Sequence, residues 1–130
     1  MNDPLQNLIS DDFKTEDRED LALLLTPYVS FDKNSKKMSF KESFQKIDNN
    51  AEKLEMVFLA EKAQSLLFDG GENEGFSQID IISLDIMPPG SVKSTLKKMF
   101  DKKAVRKSST GKYMIPNYRL PELFDKYLKK

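Results

Sequence analysis

The stretch PPGSVKSTLKKMFDKKAVRKSSTGKYMIPNY, residues 88–118, decides how the chain is read. It holds eight Lys/Arg, and its one acid is Asp101. Two prolines and a glycine open it. Pro88 and Pro89 cannot lie inside a helix and Gly90 frees the backbone, so Asp85–Gly90 (DIMPPG) reads as a stiff turn. A helix is expected from Ser91 to Lys103, capped by Ser91 or Gly90. It turns Val92, Leu96, Met99 and Phe100 inward and Lys93, Ser94, Lys97 and Lys98 outward. Beyond it, Ala104–Ile115 reads as a hairpin. Val105 alternates with Arg106, and Thr110–Gly111 form the turn before Tyr113 and Ile115. The positive charge falls on the outward positions of both elements.

Upstream, SQIDIISLD reads as a short helix over Ile79–Leu84, capped by Ser77, with Ile79, Ile82 and Leu84 on its apolar side. Phe76 begins a short strand or leads into that helix. DGGENEG, residues 69–75, has three glycines in seven residues and reads as a loop. Before it, NNAEKLEMVFLAEKAQSLLF carries the strongest helical periodicity in the chain. Leu54, Phe58, Ala60, Ala63, Leu66 and Leu67 make a broad apolar face, and Asn49 or Asn50 can cap it. This is the expected central core helix.

The N-terminal part is organised differently. TEDREDLALLLTPYV reads as a helix capped by Thr15, with Glu16, Asp17, Glu19 and Asp20 suiting the positive end of its dipole. Pro27 biases Thr26 out of helical geometry and should end it. Val29 with Phe31, then Met38 with Phe40, alternate about DKNSKK and suggest two short strands. KESFQKI is a short helix or turn. At the other end, NYRLPELFDKYLKK closes the chain as a helix with Leu120, Leu123, Phe124, Tyr127 and Leu128 inward and Lys126, Lys129 and Lys130 at its C-terminal end. Residues 1–13 should be frayed.

Bulk properties narrow the function. The chain has 130 residues, 32% of them charged and 38% hydrophobic, and a formal net charge of zero. Residues 1–65 carry 9 Lys/Arg and 13 Asp/Glu, a balance of −4; residues 66–130 carry 12 and 8, a balance of +4. Such asymmetry points to a basic working surface in the C-terminal half. No cysteine is present, which excludes disulfides and thiol chemistry and fits a cytoplasmic location. No histidine is present, which removes the commonest general base and metal ligand. No apolar run reaches the roughly 20 residues of a membrane span, and the N-terminus lacks the pattern of a secretion signal.

Residues 51–116 thus give helix, short helix, tight turn, helix and two-stranded hairpin. This order resembles the winged helix-turn-helix DNA-binding superfamily, over roughly half the chain. The resemblance implies an α+β, mainly helical fold in which residues 91–103 form a recognition helix and residues 104–115 a wing. The DIMPPG turn is longer and stiffer than the family usually shows. The implied domain spans residues 50–130, with residues 1–49 a helix and hairpin extension. Carried onto this chain, the recognition helix places Ser91, Lys93, Ser94 and Lys97 at the major groove. Lys98, Lys102 and Lys103 would follow the phosphates, and Arg106, Lys107, Ser108, Ser109, Thr110 and Lys112 would form the wing contact. Arg106, the single arginine of that surface, is the best candidate for bidentate or minor-groove recognition.

The expectation is a small, non-catalytic, cytoplasmic DNA-binding protein that regulates transcription, with double-stranded DNA as partner and no cofactor or metal. The alternative is a winged-helix protein-interaction module whose basic face meets an acidic partner. Lysines on an amphipathic helix are more often only a solvated face. Leu21, Leu23, Leu24 and Leu25 exceed one helix stripe, so residues 1–49 could serve a homodimer; the plainer alternative packs them on the 50–68 helix. Asp69, Glu72 and Glu74 lack the spacing of a calcium loop and read as a solvated linker. Asp11 and Asp12 with the acids at 16–20 read as a stabilised helix start rather than a metal site. Tyr113 and Tyr118 could stack on bases, though core packing is the commoner role at this position.

Overall fold

The computed structural model describes residues 15–68 and 74–128. The expectations for residues 1–14, for the Thr15 and Glu16 side chains, for 69–73 and for Lys129–Lys130 fall outside it. The described chain is α+β and mainly helical. Its elements are α1 (Thr15–Leu25), β1 (Val29–Phe31), β2 (Met38–Phe40), α2 (Glu42–Gln45), α3 (Asn50–Phe68), α4 (Gln78–Ser83), α5 (Pro89–Asp101), β3 (Arg106–Lys107), β4 (Tyr113–Met114) and α6 (Leu120–Leu128). A single 3₁₀ turn, Asn117–Arg119, leads into α6.

α3 is the axis of the molecule. Asn49 starts it by accepting the Glu52 N–H on Oδ1 at 3.1 Å, a side-chain N-cap. Every residue from Leu54 to Lys62 is buried, so the middle of the helix is enclosed on all sides rather than along one stripe. The expected apolar face weakens at its end, where Leu67 is exposed. α1 packs against α3 and α6, and α5 packs against α3 and α4. One continuous core joins Leu21, Leu24 and Leu25 of α1 to Ile81, Val92, Leu96, Val105, Ile115 and Leu123 through the α3 side chains. Three of the four leucines at positions 21–25 are therefore used within the chain, and of these four only Leu23 faces outward.

The N-terminal hairpin pairs Val29 with Phe40 and Phe31 with Met38 in antiparallel register. Its turn is built by Asp32, whose carboxylate accepts the Asn34 and Ser35 N–H groups at 3.0 and 2.6 Å. Those bonds, led by Ser35, hold its carboxyl below the usual range.

α4 begins where expected. Ser77 Oγ accepts the Asp80 N–H at 3.1 Å while the Asp80 carboxylate accepts the Ser77 N–H at 2.9 Å, a reciprocal capping box. Its inward residue differs from expectation: Ile81 is fully buried and Ile79 is 74% exposed. A helix of six residues is too short for periodicity to choose its face. The tight turn also differs. Pro89 is the first residue of α5, with Pro88 as N-cap and no side-chain cap, so neither Ser91 nor Gly90 caps the helix. Proline is tolerated at that position because its missing N–H would have no helical partner.

α5 buries Val92, Thr95, Leu96 and Met99, spacing i, i+3, i+4 and i+7. Phe100 falls outside that stripe and is 46% exposed, correcting its expected inward position. The helix ends at Asp101, short of Lys103. Ala104 N–H donates to Met99 O at 2.8 Å and Lys103 N–H to Phe100 O at 3.0 Å. With Lys103 at φ +62°, this is a Schellman stop, a geometry that normally takes glycine.

The second hairpin pairs Arg106 with Met114 and Lys107 with Tyr113. Phe76 widens it: Phe76 N–H donates to Tyr113 O at 3.0 Å and Tyr113 N–H to Phe76 O at 2.7 Å. The extended residue before α4 is thus stitched to the return strand after α5. Among the described residues, no helix is long and apolar enough to cross a membrane.

Candidate nucleic-acid interface

The basic residues of the 88–118 stretch sit on a supported surface. Val92, Leu96 and Met99 pin one side of α5 to the core, which turns Lys93, Ser94, Lys97 and Lys98 outward, all exposed. Lys102 and Lys103 lie in the turn that ends α5 and are exposed as well. Val105 and Ile115, both buried, anchor the two arms of the hairpin. Between them Arg106, Lys107, Ser109 and Thr110 are exposed, while Ser91, Ser108 and Lys112 are half-buried.

The hairpin tip is ordered by its own hydroxyls. Ser108 N–H donates to Lys112 O at 2.8 Å, Lys112 N–H to Ser108 Oγ at 3.2 Å, and the Ser108 and Thr110 hydroxyls share a bond of 2.9 Å. Gly111 takes φ +83° to close the turn. Three expected contact groups are therefore partly committed: Ser108 and Thr110 to each other, and Ser94, whose hydroxyl donates to Ser91 O at 3.3 Å.

The electrostatics separate two kinds of cation. Lys93, Lys97, Lys98, Lys102, Lys103, Arg106, Lys107 and Lys112 form no ion pair among the described residues. Lys107 alone has another charge contact, 5.4 Å above the Tyr113 ring. Lys62, Arg119 and Lys126, by contrast, are spent on the fold. Lys62, 2% exposed, donates to Glu74 Oε2 at 2.6 Å and to Asn117 Oδ1. Glu74 is thus an ion-pair partner of the core helix and not part of a solvated linker. Beside it, Glu61 Oε2 accepts the Gly75 N–H at 2.6 Å.

A second polar centre lies around Glu55, 7% exposed on α3. Its carboxylate accepts from Tyr127 Oη at 2.6 Å, Lys126 Nζ at 3.0 Å and Arg119 Nη2 at 3.3 Å. Arg119 also pairs with Glu122, and its Nη1 donates to Ala104 O at 2.8 Å, at the junction of α5 and β3. Burial pushes the Glu55 carboxyl up, but the three hydrogen bonds and the Lys126 charge outweigh it, and the net shift is downward. Burial, then the Glu55 carboxylate, push the Tyr127 phenol well above its usual value. Neither centre was legible in the sequence, because the partners lie 12 to 72 positions apart. The residue types alone, a Glu and a Lys inside an apolar helix, were the available signal.

Two surface hollows flank these features. One, of about 360 Å³, is an apolar groove between α1, β1 and α3 that includes Leu21, Leu25, Phe31 and Leu66. The other, of about 510 Å³, lies between the end of α5 and the β3 strand, where Phe100 and Tyr118 line it with Lys103, Arg106 and Lys107. Tyr118 is 71% exposed, so the core role expected for it does not hold; Tyr113 is half-buried and meets Phe100 edge-on at 6.2 Å. Among the described residues no group of three acids could hold a metal ion. Comparison with protein-family models, curated proteins and solved structures finds no match.

Proposed function

We propose that residues 50–130 form a winged helix-turn-helix domain and that the protein is a small, non-catalytic DNA-binding protein acting in transcriptional regulation. α4, the DIMPPG turn and α5 supply the helix-turn-helix. α5 is the recognition helix, and the β3–β4 hairpin is the wing. The extended bond between Phe76 and Tyr113 supports this assignment, because it ties the segment before α4 to the wing and holds helix and hairpin on one frame. The observation that carries the function is the set of eight cations on α5 and the hairpin without an ion-pair partner among the described residues. Cations left uncommitted by the fold are free to displace counterions from phosphates. The start of α5 adds to this: its first turn has no acid and no side-chain cap, so the positive end of the dipole is open toward an anionic backbone.

Lys93 and Lys97 lie one turn apart on the outer face of α5 and would enter the major groove with Ser94. Arg106, on the first wing strand, would reach the flanking backbone or minor groove. The test is a gel-shift titration against random duplex DNA at two salt concentrations, with a Lys93→Glu, Lys97→Glu, Arg106→Glu triple variant alongside. The expected result is a complex that weakens steeply with salt and that the triple variant abolishes. Absence of any salt-sensitive complex at micromolar protein, with an acidic protein partner captured instead, would overturn the proposal.

A further inference from the structure

We propose that the hollow between the end of α5, the β3 strand and Tyr118 is a stacking site for an unpaired nucleotide, so that the protein prefers DNA carrying a single-stranded end. The inference rests on the DNA-binding function proposed above and names a second DNA form for the same face.

Of the described aromatic residues, only Phe100 and Tyr118 are exposed, at 46% and 71%, and both line this one hollow. The other described rings are covered wholly or in part. Phe100 is held rather than loose, because its ring meets Tyr113 edge-on at 6.2 Å. Tyr118 sits in the short 3₁₀ turn between the buried Pro116 and the buried Leu120, which fixes its backbone while its ring faces solvent.

The same hollow is lined by Lys103, Arg106 and Lys107, against one acid, Asp101. None of these three cations is ion-paired among the described residues. Ring faces beside uncommitted cations are the combination that binds single strands: bases stack on the rings while the cations track the phosphates. A base inside a duplex has both faces covered by its neighbours, so away from its ends a duplex offers the rings nothing to stack on, whereas an unpaired base does. The volume of about 510 Å³ falls in the range of roughly 300–1,000 Å³ common for small-ligand sites. Arg106 and Lys107 belong to both the hollow and the wing, which places an unpaired nucleotide beside a duplex held by α5.

The experiment is fluorescence anisotropy with the full chain and two labelled probes: a blunt random duplex, and the same duplex with a short single-stranded thymidine overhang. Wild type is expected to bind the overhang probe about tenfold tighter, the scale of one base–aromatic stack. The preference should shrink with salt but not vanish, since the cation–phosphate contacts release counterions while the stack releases few. Tyr118→Ala, at a solvent-facing ring, should remove the preference and leave blunt-duplex affinity unchanged; Tyr118→Phe should restore it. Phe100→Leu should reduce it. Equal wild-type affinity for both probes overturns the stacking site while the duplex function stands. Equal weakening of both probes by Tyr118→Ala also overturns it. Binding to neither probe overturns the proposed function and the stacking site together.

Discussion

Replacing Glu55 by Gln tests how the elements behind the basic face are held together. Glu55 is nearly inaccessible and takes hydrogen bonds from Tyr127, Lys126 and Arg119, so the substitution keeps the shape and removes the charge that all three face. Breaking a buried ion pair from one side costs about 3–5 kcal/mol. Here the remaining partners are not orphaned. Lys126, 46% exposed, keeps Glu52 at 3.7 Å, and Arg119 keeps Glu122 and Ala104 O. That compensation brings the expected loss to about 2 kcal/mol, or a fall in Tm of about 6–10 °C for a chain of this size. The pH dependence has a definite sign. The folded carboxyl titrates below its ordinary value of 4.5, so its contribution is present above that pH and is lost as the pH falls through the folded value. Urea unfolding at pH 7 and at several points below about pH 4.5 should therefore show the gap between wild type and Glu55→Gln closing on acidification. A variant as stable as wild type at pH 7, or a gap that stays constant into acid, would refute this account of the centre.

Three further outcomes follow from single positions. Gly75→Ala should lower the unfolding free energy measured in urea by about 2 kcal/mol or more, because φ is +126° and the new Cβ would stand 3.0 Å from Lys112 Cβ and 3.2 Å from Tyr113 O, which the Phe76 bonds hold in place. Lys103→Gly should raise stability by about 1 kcal/mol in the same assay by relieving the left-handed backbone at the end of α5. On the alkaline side, the raised Tyr127 phenol contributes stability that is full below its ordinary value of 10.0 and is lost as the pH rises beyond it. With no histidine to titrate, stability should be nearly level between about pH 6 and 9, and Tyr127→Phe should flatten the alkaline decline.

The elements most legible in the sequence were those whose signals are local. Ser77 with Asp80, Asn49 ahead of α3, and Pro27 after α1 act within four residues of the boundary they set, and those boundaries fell where the residues indicated. The two strands β1 and β2 followed from alternation about a polar turn; their register did not. Details decided by packing were less legible. Ile81 rather than Ile79 is inward because α5 chooses which side of a six-residue helix is covered. Pro89 reads as a breaker by residue type, yet the first position of a helix is where proline costs nothing in hydrogen bonds. The outward lysines of α5 were legible because Val92, Leu96 and Met99 fix their phase. Phe100 and Tyr118 were not, since an aromatic ring near a core gives no sign of which way it will turn. The Glu55 and Lys62 centres join residues far apart in the chain, and no local pattern encodes such pairings.

The central proposal is that the eight cations of α5 and the hairpin meet DNA, most of them at its phosphates. The most direct measurement is the salt dependence of duplex binding by anisotropy, plotted as log K against log salt concentration. Each neutralised phosphate contributes about −0.9 to the slope, so engagement of most of these cations predicts a slope of about −4 to −7. Lys98→Ala or Lys102→Ala should each reduce its magnitude by about one. A slope near zero, or one unmoved by these substitutions, would contradict the account.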